Sequence, residues 1–197
     1  MDWLSPVSGL VGALVGAGAG YAGSRQVLNR QLEDTKQARE QAERIAVVAA
    51  LSTVLTALLE HAARIPDDPA RRGEGFDQET YQRMRAKEKE WDEGWQPLVR
   101  TAHVAALEVR DADVRNRLTT GLRYLKDWNA LEYAFHGKIR AWVLAGVLDH
   151  LVETVFAWRR EEELPAPIDR FTSVAEAWAL KMEEYEDTAR AEAEDTD

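Results

Sequence analysis

"RQVLNRQLEDTKQAREQAERIAVVAALSTVLTALLEHAARI", residues 25–65, contains neither proline nor glycine and reads as one long helix. Its two halves differ in character. In the first, Val27, Leu28 and Leu32 are the only large apolar side chains among charged and amide residues, the composition of a stalk or a weak coiled coil. In the second, Ile45, Val48, Leu51, Leu55, Leu58, Leu59, Ala62 and Ile65 recur at helical spacing and predict a core face. The uncharged run 45–59 is short for a membrane crossing and carries Ser52, Thr53 and Thr56, so a buried bundle helix is the expectation.

Upstream lies a different kind of segment. Residues 3–24 are 22 uncharged residues between Asp2 and Arg25. As a helix they would span about 33 Å, against about 30 Å for the hydrocarbon core of a bilayer. Trp3 and Tyr21 stand near the ends, where aromatic rings favour the headgroup level. Only Leu4, Val7, Leu10, Val11, Leu14 and Val15 are strongly apolar, so insertion of a lone copy is marginal. Small residues recur at every fourth position, Ser8, Gly12, Gly16, Gly20 and Ser24, and form a ridge against which a second helix can pack closely. A signal peptide begins with a basic stretch, whereas here Asp2 precedes the run and Arg25, Arg30, Lys36 and Arg39 follow it. The positive-inside rule then predicts a single-pass inner-membrane helix with the N-terminus outside and the remainder in the cytoplasm.

Downstream, "PDDPARRGEGF", residues 66–76, is a loop, because two prolines, two glycines and five charges hold no periodic face. From about Asp77 apolar residues recur at Tyr81, Met84, Trp91, Trp95, Leu98, Ala102, Ala105 and Val109, in phase across Gly94 and Pro97, which predicts one kinked helix. Asp111 or Asp113 caps the next, whose inward face is Val114, Leu118, Leu122, Leu125, Trp128 and Phe135 and which ends at Gly137. A central helix over about 138–162 follows, with Ile139, Trp142, Val143, Val147, Leu151, Val155 and Trp158 inward and Leu144, Leu148 and Val152 beside them. After "LPAP" (164–167), Ser173 and Glu176 form a capping-box pattern for a last helix that buries Val174, Ala177, Trp178 and Leu180. Residues 183–197 hold eight acids and one base and predict a flexible acidic tail. No stretch alternates as a strand would. The fold class is therefore all-α: a transmembrane helix (1–24), a long stalk helix (25–44), a four- to five-helix bundle (45–182) and the tail.

Composition narrows the chemistry. The 197 residues are 45% hydrophobic and 30% charged, as in a folded chain, and the net charge of −10, with no Lys/Arg stripe along the sequence, argues against nucleic acid as a partner. Arginine outnumbers lysine 19 to 6, a codon-level pointer to a GC-rich bacterial genome. There is no cysteine, which removes disulfides, thiolate metal sites and cysteine nucleophiles. His61, His103, His136 and His150 lack the paired Glu-x-x-His spacing of a di-iron bundle, and no phosphate-binding glycine loop, nucleophile elbow or His-Glu-x-x-His occurs. No metal or cofactor is expected, and no enzyme.

Two places stand out as candidate sites. Asp149, His150 and Glu153 interrupt an apolar helix; buried, they would form a polar cluster needing partners, but the i,i+4 relation of Asp149 and Glu153 predicts an outer stripe. Six of the seven tryptophans fall at core spacing, with Trp91 and Trp95, beside the kink, as the candidate partner surface. The functional expectation is a non-enzymatic, membrane-anchored interaction or scaffold protein that associates with itself or another membrane protein through the glycine ridge. Its rivals are a membrane-active oligomer, holin-like or pore-forming, and a small-molecule-binding or catalytic bundle built on Asp149, His150 and Glu153.

Overall fold

The computed structural model describes residues 4–66, 77–135 and 138–194, with residues 4–30, 132, 133 and 194 described by their backbone alone. Among the described residues the fold is all-α, without strands: α1 Leu4–Ala62, α2 Gln78–Leu107, α3 Ala112–Lys126, a 3-10 turn Trp128–Leu131, α4 Glu132–Phe135, α5 Arg140–Arg160 and α6 Asp169–Glu194. The chain divides into two units, residues 1–44 and 45–197. The loop expected at 66–76 lies, from residue 67 on, outside the described residues, as do Trp3, His136 and Gly137.

In the first unit, residues 31–42 of α1 are exposed, and Lys36–Glu40 and Arg39–Glu43 form i,i+4 ion pairs that add a few tenths of a kcal/mol each. In the second unit the same helix buries Val48, Leu51, Val54, Leu55, Leu58 and Ala62. Ile45, expected inside, is 58% exposed because it stands one turn ahead of the first core residue.

Helix α2 starts at Asp77, whose carboxylate accepts from Thr80 N at 2.7 Å, and runs unbroken through Gly94 and Pro97. It buries Trp91, Trp95, Val99, Ala102 and Ala106, while Tyr81 is exposed, three turns before that face is covered. Asp111 caps α3 by accepting from Asp113 N and Val114 N. The helix expected to run on to Gly137 stops instead at Lys126, and Asp127 leaves helical geometry at φ −96°, ψ 39°. The 3-10 turn that follows buries Trp128, Ala130 and Leu131, three of four consecutive residues, which one face of an α-helix cannot do.

Helix α5 packs on both α3 and α6 and buries ten of its 21 residues, with Leu144, Val147, Leu148 and Leu151 fully enclosed. Its inner arc is rotated toward Leu144 and Leu148, so Ile139 and Trp142 of the expected face are exposed. Gly121 and Gly146 permit this packing: a Cβ at Gly121 would lie 2.6 Å from Leu151 Cδ2, and one at Gly146 2.8 Å from Arg170 Cβ. The helix ends at Glu161, at φ 58°, where Glu162 N bonds Ala157 O as in a Schellman cap.

Helix α6 begins at Asp169, two residues after Pro167, so Ser173 is interior and no capping box forms there. The earlier start sets the inward stripe at Phe171, Val174, Ala177 and Trp178 and leaves Leu180 exposed. The helix continues through the acidic segment to Glu194, with Glu183, Glu184 and residues 186–193 exposed to solvent.

Two stretches among the described residues are long and apolar enough to cross a membrane: Gln31–Ala62, with mean hydropathy 1.8 in its best window, and Arg140–Arg160, with 1.3. More than half of the Arg140–Arg160 window is buried against the bundle, as befits a core helix.

Candidate functional site

Asp149, His150 and Glu153 part company in the structure. Asp149 is half-exposed, with Oδ2 3.8 Å from Arg170 Nη2, and Glu153 is exposed. His150 is 2% exposed, so it belongs to neither an outer stripe nor a three-residue buried cluster. The helix period explains the separation. Asp149 and Glu153 share one side, whereas His150, about 100° further round, stands in the buried line Gly146, His150, Thr154 and Ala157. The small neighbours leave room for the ring, which lies 4.4 Å from Phe171 between centroids.

The His150 backbone carbonyl accepts from Thr154 Oγ1 at 2.8 Å, but the ring Nδ1 has no hydrogen-bond partner. Burial pushes the imidazole pKa down, the Arg117 cation pushes it further, and Glu153 opposes both. The ring is thus neutral at pH 7. It lines a cleft of about 210 Å³ with Asn116, Arg117, Thr120, Pro167 and Phe171, where Arg117 Nη1 donates to Pro165 O at 2.6 Å. A wider groove of about 610 Å³ is lined by Asp149, Val152, Glu153 and Ile168, and there the Arg170 guanidinium covers the Trp142 ring at 4.8 Å.

Trp91 and Trp95 are not a partner surface. Their rings stack at 5.0 Å and both are buried, with Trp128 edge-on to Trp91 at 5.1 Å. Each indole N–H has an internal acceptor: Trp91 donates to His61 O, Trp95 to Leu125 O and Trp128 to Asp92 Oδ1. Beside them Glu88, also buried, accepts from Arg140 Nη1 at 2.8 Å and from Arg85 Nη1 at 2.9 Å.

A third cleft, of about 320 Å³, runs between α2 and α3 and is lined by Gln96, Val99, Arg100, His103, Leu122, Arg123 and Lys126. Sequence reasoning missed it, since its basic residues are split between two helices and form no stripe in either. The signal was the i,i+4,i+7 set Gln96, Arg100 and His103 on one helix, facing Arg123 and Lys126 on the next. Among the described residues no group of three or more His, Asp or Glu side chains could hold a metal ion. The side chains of Ser8, Gly12, Gly16, Gly20 and Ser24 lie outside the described residues, although their backbone is helical.

No protein-family model matches the chain, no curated protein matches it significantly in sequence, and no solved structure matches it significantly.

Proposed function

We propose that this chain is a membrane-anchored helical interaction protein that crosses the inner membrane once, over residues 3–24, with its N-terminus outside and its bundle in the cytoplasm. The reading rests on one observation above all: α1 is helical from Leu4, through a segment holding six glycines. In water each glycine disfavours a helix by about 1 kcal/mol relative to alanine. In a bilayer the backbone must satisfy its own hydrogen bonds, and a helix containing glycine becomes both tolerated and useful for close packing. The basic residues Arg25, Arg30, Lys36 and Arg39 on its C-terminal side support the orientation.

In this reading the ridge Ser8, Gly12, Gly16, Gly20 and Ser24 pairs the anchor with a second copy or with another membrane helix, and the bundle acts by binding rather than by catalysis. The test is carbonate extraction of membranes containing the full chain, beside a chain beginning at Arg25. The full chain stays in the pellet and the shortened one is soluble. If the full chain is released by carbonate, the anchor is lost as an explanation. Gly16→Leu then weakens association of the full chain in membranes, while leaving it resistant to extraction.

A further inference from the structure

We propose that the cleft between α2 and α3 is a binding site for a small phosphate-bearing anion. Its wall on α2 carries Arg100 and His103, its wall on α3 carries Arg123 and Lys126, and Gln96 closes one end. No carboxylate lines it. That is unexpected in a chain with 35 acids against 25 bases, in which exposed cations earlier on α2, Arg83 and Lys89, lie beside Glu79 and Glu93. Arg100, Arg123 and Lys126 form no ion pair among the described residues; the Arg123 guanidinium faces the Trp178 ring at 6.0 Å and acts electrostatically on Tyr124.

Three like charges around one cleft repel each other, and a bound anion relieves that repulsion. Arginine forks match phosphate oxygens in pairs, while lysine adds a point charge, and together they suit a group carrying two or more negative charges. The volume of about 320 Å³ sits at the lower end of the range for small-molecule sites and is far too small for a nucleic-acid strand. The floor of Val99 and Leu122 offers an apolar surface to whatever carries the phosphate. Two sources supply this chemistry, a soluble phosphorylated metabolite and a phosphorylated lipid headgroup. The site is independent of how the chain is anchored.

Inorganic pyrophosphate is the first probe, added to the full chain in mild detergent while unfolding is followed by tryptophan fluorescence. The midpoint rises saturably with pyrophosphate, with half-effect below about 1 mM, and the effect weakens with added salt. Arg100→Gln with Arg123→Gln raises the half-effect concentration at least about tenfold. Without pyrophosphate the double variant melts close to the wild-type temperature, since the relieved repulsion offsets the weak Arg123 contact with Trp178; a large drop would mark these residues as structural and overturn the proposal. Arg83→Gln, remote on α2, responds as wild type. No saturable shift up to about 10 mM, or equal shifts in wild type and the double variant, overturns the proposal. Phosphatidylcholine vesicles with and without phosphatidylinositol phosphate then separate the sources: competition with pyrophosphate by the phosphorylated vesicles alone assigns a headgroup, and its absence assigns a soluble ligand.

Discussion

His61 and Trp91 exchange hydrogen bonds: His61 Nε2–H donates to Trp91 O at 2.8 Å, and the Trp91 indole N–H donates to His61 O at 2.9 Å. The pair pins the end of α1 to the middle of α2, and it accounts for a glycine inside a helix. A Cβ on Gly94 would lie 2.7 Å from His61 Cε1, so the imidazole occupies the space that any other residue would fill.

Gly94→Ala therefore lowers stability by about 1–2 kcal/mol, overpacking outweighing the gain of up to about 1 kcal/mol in helix propensity. In a His61→Ala background the obstacle is gone and the same change becomes neutral or stabilising. Urea unfolding of the four proteins of this cycle measures the coupling. Strict additivity would mean that the ring does not sit against Gly94.

The Glu88 carboxylate bridges two arginines, and the Arg140 guanidinium it meets is also close to the rings of Trp128, at 5.6 Å, and Phe135, at 5.7 Å. Glu88→Ala takes the carboxylate from a cation that is mostly enclosed and costs about 3 kcal/mol. Glu88→Ala with Arg140→Met recovers much of the loss, because the cation then leaves with its partner. A double variant as unstable as Glu88→Ala alone would assign the loss to packing.

Trp95 and Trp142 look alike in the sequence and differ in the fold, at 0% and 46% exposure. Trp95→Ala costs about 3–5 kcal/mol, from its buried ring and from the Leu125 carbonyl left without its donor. Trp142→Ala costs about 1 kcal/mol or less, the worth of an exposed cation–π contact with Arg170. Chemical denaturation of each variant decides the order, and a reversed order would contradict the rotation of α5.

That rotation marks where the sequence stops being readable. The apolar period placed the helices and most of their core faces, since Leu118, Leu122 and Leu125 or Val48, Leu51 and Leu55 repeat at 3.6 residues with polar residues between them. In α5 apolar residues occupy most of the circumference, so the period cannot say which arc faces α3 and which is left open, and Trp142 and His150 came out on unexpected sides. The break at Asp127 was hidden for a related reason, because Trp128, Leu131 and Phe135 keep an α-helical spacing that the tighter turn also satisfies. The cleft between α2 and α3 needed the pairing of two helices, which no single stretch of sequence contains.

His150 gives the fold a dependence on pH with a definite sign. Its folded pKa lies below the ordinary 6.5, through burial first and Arg117 second, with Glu153 in opposition. Below pH 6.5 the unfolded chain takes up a proton that the folded chain does not, so the unfolded state is favoured. The contribution is constant above about 6.5, falls as pH drops toward the folded value with a slope of up to about 1.4 kcal/mol per pH unit, and levels off beneath it. His150→Gln removes this slope, and subtracting its stability–pH curve from that of the wild type cancels groups common to both. Arg117→Gln takes away a cation that disfavours the imidazolium, raises the folded pKa and narrows the window. Glu153→Gln takes away the opposing carboxylate and extends the window to lower pH. Urea unfolding between pH 4 and 8, a range set to bracket histidine titration at about 6.5, reads all three. A wild type that gains stability relative to His150→Gln on acidification would mean that the ring is protonated and partnered in the fold, and its place against Phe171 would be wrong.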